Sequence, residues 1–290
     1  MSLKIIVLAK QVPDTRNVGK DAMKEDGTVN RAALPAIFNP EDLNALEQAL
    51  RLKEKYKGST ITLLTMGPAR AAEIIREGLY RGADDGFLLT DRAFAGSDTL
   101  ATSYAISCAI RKIEKFDVII AGRQAIDGDT AQVGPQVAEK LGLPQITYAE
   151  EIISADNGKI IVIRRLERGV ETVEAPLPCV ITVNSSAPEC RPRAAKLIMK
   201  YKHSRTASER SENPGRYDEL TAHHSYLNIN EWGVNDIETD HKWLGLNGSP
   251  TKVKAIESVV FQAKESKKLS DNDNEIEDLI KELILNHTIG

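Results

Sequence analysis

The sequence predicts an α/β fold: a mostly parallel, twisted sheet with helices on both faces, an antiparallel hairpin extension and a long C-terminal arm. Three observations predict it. Short apolar runs rich in branched residues recur at residues 4–9, 60–65, 86–90 and 116–121, and runs of that length and character are strands buried on both faces. Between them lie segments with helix-start signals and helical apolar spacing. The connections are short, and strand alternating with helix in this way builds a parallel sheet.

Each element follows from local chemistry. Residues 10–36, polar and containing Pro13 and Pro35, read as an irregular excursion after the first strand. Asn39-Pro40-Glu41-Asp42 then opens a helix, with Asn39 as N-cap, proline at the first position and acids in the first turn. Leu43, Ala45, Leu46, Ala49 and Leu50 give that helix its apolar stripe. After the strand at 60–65, Gly67-Pro68 leads into a helix over 69–81. Ser97 or Asp98 caps the next, which runs to Ile113. A glycine-rich turn, 122–135, separates the strand at 116–121 from a helix over 136–141, and 145–148 make a fifth strand.

From Glu150 the rhythm changes. Residues 159–166 and 170–175 read as an antiparallel hairpin around Arg168-Gly169, and 178–183 as a further strand extending the sheet. Residues 191–205 are basic, and 206–214 are polar without the apolar content to fix a structure. Trp232, Trp243, Leu244 and Leu246 are the substantial apolar anchors before a last helix over 275–285. These are too few for a core, so the chain divides into an α/β domain, residues 1–200, and an arm, 201–290, that orders against another subunit or not at all.

Composition excludes several classes. A formal net charge of -4 argues against a general nucleic-acid binder, and 5% aromatics against a stacking platform for single strands. Cys108, Cys179 and Cys190 are scattered, with no disulfide framework and no metal spacing, which fits a reducing, cytoplasmic compartment. No apolar stretch reaches membrane length, so no membrane insertion is expected.

The turn at 122–135 carries the chemistry. It reads Gly-Arg-Gln-Ala-Ile-Asp-Gly-Asp-Thr-Ala-Gln-Val-Gly-Pro, between a strand and a helix. Neither a Walker A pattern nor a GxGxxG fingerprint is present. Glycines exposing backbone N–H groups, donors on Thr130 and Gln132, and the positive end of the following helix suit a phosphate-bearing ligand, read as an adenine nucleotide. A tight turn that merely needs glycines is the plainer reading. Either Asp129 caps the following helix, or Gly134 does with Pro135 at its first position. Asp127 and Asp129 lack a third ligand, so no metal is expected. The histidines, His203, His223, His224, His241 and His287, all fall in the arm, and no nucleophile with a base emerges.

In order and spacing, several segments together resemble the small (beta) subunit of electron-transfer flavoproteins. They are residues 7–14 (Val-Leu-Ala-Lys-Gln-Val-Pro-Asp), Phe38-Asn39-Pro40, 50–54 (Leu-Arg-Leu-Lys-Glu), Met66-Gly67-Pro68-Ala69, Arg81-Gly82-Ala83-Asp84 and 122–127, and the match runs from residue 4 to about 200. The resemblance implies an adenine-nucleotide-binding α/β domain paired with a larger alpha subunit, passing electrons between dehydrogenases, of the acyl-CoA dehydrogenase class, and an acceptor. It carries cofactor contacts over to Ala9, Asn39, Met66, Gly122, Arg123, Gln124, Ala125, Asp127, Gly128, Asp129, Thr130, Gln132, Val133 and Gly134.

Glycine at 128, where the AMP-binding type tends to carry a bulkier acid, resembles the electron-bifurcating type, so a second FAD is favoured and AMP is the alternative. A family signature across 163–182 is matched except at Arg168 and Val170. Residues 192–200 resemble the family's partner-recognition loop, with Leu197 as its anchor and Met199 beside it. Two rival readings remain on related folds. An ATP-cleaving ligase or pyrophosphatase would need a glycine-serine loop after the first strand, and a nucleotide-sensing stress protein would not need the long arm.

Overall fold

A computed structural model describes residues 2–14, 34–252, 268–270 and 272–285. Nine strands form one sheet in the order β11-β5-β4-β1-β6-β10-β7-β8-β9. Its parallel centre comprises β1 (Lys4–Leu8), β4 (Thr60–Met66), β5 (Asp85–Leu89), β6 (Val118–Gly122) and β10 (Cys179–Val183). Alternate β1 residues serve opposite faces, as the two-residue period of a strand requires. Ile5 and Val7 pack under α1 (Pro40–Lys55) and α2 (Ala72–Arg81), which bring Leu46, Ile75 and Leu79. Ile6 and Leu8 pack under α3 (Thr99–Ile113) and α4 (Val133–Leu141), which bring Ala109, Ile110 and Val137.

Several boundaries differ from the sequence reading. The ends of the excursion after β1 pair as a two-stranded antiparallel sheet, β2 (Gln11–Pro13) with β3 (Ala36–Phe38), while 15–33 lie outside the described residues. Strand β7 (Gln145–Asp156) does not stop at 148. Tyr148 takes φ 58; just past this irregularity Ala149 is the last residue paired with the parallel β10 and the first paired with the antiparallel β8 (Lys159–Leu166), which the strand then follows. Strand β9 (Gly169–Pro176) completes the expected hairpin. Strand β10 lies between β6 and β7 rather than extending an edge, because all five of its residues are buried and belong in the interior of a sheet.

The segment after Asn184 is more ordered than its composition suggests. Helix α5 (Ala195–Tyr201) packs on α2. Residues 206–214, expected to lack structure, hold α6 (Ala207–Glu212), because Thr206 and Glu209 form a reciprocal capping box. After α7 (Glu219–His223), β11 (Asn230–Trp232) adds a parallel strand to the edge of β5. Leu227, Ile229, Val234, Ile237 and Leu244 are buried, and Trp232 lies 4.3 Å from Phe87, so this stretch closes on the chain's own sheet. Trp243 and Leu246, read as anchors, are instead exposed. Helix α8 (Asp273–Leu285) buries none of its described side chains, and Ile276, Ile280 and Ile284 lie exposed.

Candidate functional site

The chain leaves β1 toward β4 on one side, while β6 lies on the other. Loops leaving the carboxyl ends of two such strands part, and the crevice between them is where open α/β sheets place ligands. A cavity of about 1010 Å³ opens there. Leu8, Leu64, Phe94 and Ile106 give its lining an apolar wall, and the loop after β6 also lines it.

The sequence candidates converge on this cavity. Ala9 and Met66, at the ends of β1 and β4, line it. So do Gly122, Arg123, Gln124, Ala125, Asp127, Gly128, Asp129, Thr130, Gln132, Val133 and Gly134. Asn39 does not. Its side chain is spent on the loop, donating to the Gln124 carbonyl at 2.9 Å and accepting from the Ile126 amide at 3.2 Å. It occupies the N-cap position of α1 without capping it. Leu197 and Met199 lie on α5, the first packed on the core beneath and the second exposed.

The glycines serve other ends than a left-handed turn. Gly122, Gly128 and Gly134 all keep negative or extended φ, and the left-handed positions of the loop are Asp129 and Ala131, at φ 49 and 51. A methyl on Gly122 would stand 2.4 Å from Asp42 Oδ1 and 2.7 Å from the Glu41 backbone, so this glycine admits the first turn of α1. A methyl on Gly134 would stand 2.5 Å from Thr182 Cγ2, so that one admits α4 onto β10. Gly128, exposed and among the cavity-lining residues, would meet nothing within 4 Å.

Helix α4 begins at Val133, with Gln132 in the N-cap position, so neither Asp129 nor Gly134 caps it. Pro135 does not delay it, since a first-turn residue has no intrahelical partner for the N–H that proline lacks. The unpaired amides of that turn give the loop end of the cavity positive potential.

The first turn of α1 clamps the loop. Asp42 accepts from the Lys10 amide at 2.8 Å and the Gly122 amide at 3.0 Å, bridging the ends of β1 and β6. Burial pushes its carboxyl up to about 7 against the lowering effect of those bonds and of the Asn39 side chain. Glu41 accepts from the Arg123 guanidinium at 3.1 Å and the Gln124 amide at 2.9 Å. Lys10 Nζ holds both oxygens of Asp127 at 2.8 Å, and Gln124 Nε2 holds Asp129 at 2.9 Å. Glu41 and Asp42 were read in the sequence only as acids suited to a helix start, because an acid that serves the dipole and one that grips a neighbouring loop look alike there. Ser208 and Glu231, from α6 and β11, also line the cavity, and no sequence signal pointed to them.

Residues 26–206 match the electron transfer flavoprotein domain model. The chain belongs to the electron transfer flavoprotein family. It is 46% identical over 260 residues to an electron transfer flavoprotein subunit beta from Megasphaera elsdenii, covering 88% of this chain and 87% of that one. It is 42% identical over 251 residues to the caffeyl-CoA reductase-Etf complex subunit CarD of Acetobacterium woodii, covering 87% and 86%. Protein FixA of Azotobacter vinelandii is 39% identical over 286 residues, covering 94% and 90%. The likeness spans most of each chain. Among the described residues no helix is long and apolar enough to cross a membrane, and no cluster of metal-ligating side chains is present.

Proposed function

We propose that this chain is the carrier subunit of a heterodimeric electron-transfer flavoprotein, holding FAD in the cavity at the ends of β1, β4 and β6. The observation that carries the reading is a cavity of about 1010 Å³ whose lining includes Gly128, where a side chain would meet nothing within 4 Å; the volume is at the top of the roughly 300–1,000 Å³ usual for small-molecule sites. That room favours FAD over AMP, which remains the alternative occupant. Bound flavin would supply the electron-accepting ring. The chain supplies amide donors at the start of α4 for phosphate, the apolar wall for a ring system, and the α1 clamp that keeps the loop in place. Ala9, Met66 and the cavity-lining residues from Gly122 to Gly134 are the proposed contacts, with Asn39 acting through the loop.

The chain does not catalyse alone in this reading. It pairs with a larger alpha subunit and serves partner dehydrogenases in the cytoplasm. One relative is named a caffeyl-CoA reductase-Etf complex subunit, and another, from Anaerotignum propionicum, an acryloyl-CoA reductase electron transfer subunit. Both names favour partners of the acyl-CoA dehydrogenase class. Leu197 and Met199 on α5 are proposed docking residues, and the exposed apolar side of α8 is proposed to rest on the alpha subunit. The test is co-expression with the larger subunit, followed by flavin-to-protein stoichiometry and chromatography of the released nucleotide. Two flavins per heterodimer support FAD in this cavity. One flavin plus AMP replaces FAD by AMP, and a colourless chain without nucleotide overturns the proposal.

A further inference from the structure

Among the described residues Asp42 has no ion-pair partner, and it lies at the ligand crevice. It is 6% exposed, lines the cavity, and receives an amide from each of the two strand ends that flank the crevice. The charges around it are engaged elsewhere. On the β1 side the Lys10 ammonium is held by both oxygens of Asp127. On its own helix Glu41 is paired with Arg123 of the β6 loop. Asp129 of the same loop is bonded to Gln124. Burial raises the Asp42 carboxyl more than the Asn39 side chain, the two amides and the Lys10 charge lower it, no described cation makes an ion pair with it, and any anion entering the cavity adds like charge beside a desolvated carboxylate.

We propose that Asp42 takes up a proton when an anionic nucleotide enters the cavity, so that ligand binding and protonation of this carboxyl are coupled. The proton comes from solvent. One Asp42 oxygen gains an O–H and keeps a lone pair for its amide, a weaker acceptor than before, while the other oxygen still accepts from the second amide. Asp42 is thus a positioning residue: ionised, it ties β1 to β6, and protonated, it relieves the repulsion that the ligand's phosphates bring. Burial pushes its carboxyl up to about 7. Ligand charge raises that value further, so affinity tightens as pH falls from about 9 toward 7 and levels off below. Each unit by which the ligand raises it is a tenfold gain in affinity.

The inference rests on the cavity being a nucleotide site, and the experiment separates the two. FAD is titrated calorimetrically into the complex with the larger subunit, stripped of exchangeable nucleotide, in buffers of different ionisation enthalpy. FAD is the probe because its pyrophosphate diester does not titrate near neutrality. Wild type is expected to take up about half a proton or more near pH 8 and little near pH 6, and Asp42→Asn almost none at either. Infrared difference spectra of wild type carrying labelled aspartate are expected to show a protonated-carboxyl band on adding FAD. That band decides the matter if the variant fails to fold. Equal proton uptake in both proteins, or no band, overturns the coupling while leaving the site intact. No FAD binding to the cavity at any pH overturns the site and the coupling together.

Discussion

Two glycines of one loop are predicted to respond oppositely to the same methyl group. In Gly122→Ala the new Cβ stands 2.4 Å from Asp42 Oδ1, 2.7 Å from the Glu41 carbonyl carbon and 2.8 Å from the Asp42 amide nitrogen. Two of those three atoms are backbone, so relief requires moving the first turn of α1. Overpacking of this kind costs about 1–3 kcal/mol. Displacing Asp42 also stretches its bonds from Lys10 and Gly122, and a hydrogen bond to a charged group is worth about 1.5–3 kcal/mol. A loss of about 3–5 kcal/mol follows, a fall of about 1 M or more in the urea midpoint at a slope near 3 kcal/mol per molar. Gly128→Ala meets nothing within 4 Å and keeps an ordinary φ, so it changes stability by less than about 1 kcal/mol, in the stabilising direction. It should instead reduce the nucleotide retained on purification. A Gly122→Ala midpoint within error of wild type, or a Gly128→Ala protein as unstable as Gly122→Ala, refutes the assignment of packing to one glycine and ligand space to the other.

Three further outcomes are expected. Asn39→Ala removes the bonds to Gln124 and Ile126 and should cost about 1–3 kcal/mol, with hydrogen exchange accelerated across the loop after β6 but not within α1, which Asn39 does not cap. Arg191→Ala leaves Glu47, whose side chain is 7% exposed, with Arg51 as its remaining cationic partner among the described residues, at a cost of about 1.5–3 kcal/mol. Burial alone would raise the Glu47 carboxyl, but the Arg191 bonds and charge outweigh it and hold it below 4.5. The pair's stabilisation is therefore present above that pH and lost as pH falls through the lowered value, and denaturation curves of Arg191→Ala should be flatter on the acid side. Trp232→Ala removes the contact with Phe87 and the stacking of Lys112, whose ammonium lies 4.5 Å from the indole. A loss of about 2 kcal/mol is expected, with faster exchange at the Thr90 amide, which bonds to the Trp232 carbonyl.

Much of the fold was legible because its signals are local. The buried runs of β1, β4, β5 and β6, the proline and acids opening α1, and the Asp98 cap of α3 each depend on a few neighbouring residues. The misreadings arose where a partner decides. The apolar run of β10 announces a strand, yet nothing in it says that β6 and β7 will flank it. Tyr148 at φ 58 breaks the β7 pattern, and only the change of partner from β10 to β8 shows that one strand continues through it. Trp232 and Leu244 looked too sparse for a core because the core they join belongs to β5, α3 and their neighbours, over a hundred positions earlier.

The loop at 122–135 divides in the same way. The sequence alone determined that a glycine-rich turn follows a buried strand and precedes a helix, and its motifs carried the family resemblance. Tertiary structure decided what each residue there is for. Gly122 admits α1, Gly134 admits α4 onto β10, and Gly128 leaves open space, three uses of the same missing Cβ. Asn39, Glu41 and Asp42 proved to grip that loop from eighty or more residues away. Strand and helix propensities are properties of a short window of chain, whereas a steric fit or a hydrogen bond between distant segments exists only once the sheet has brought them together.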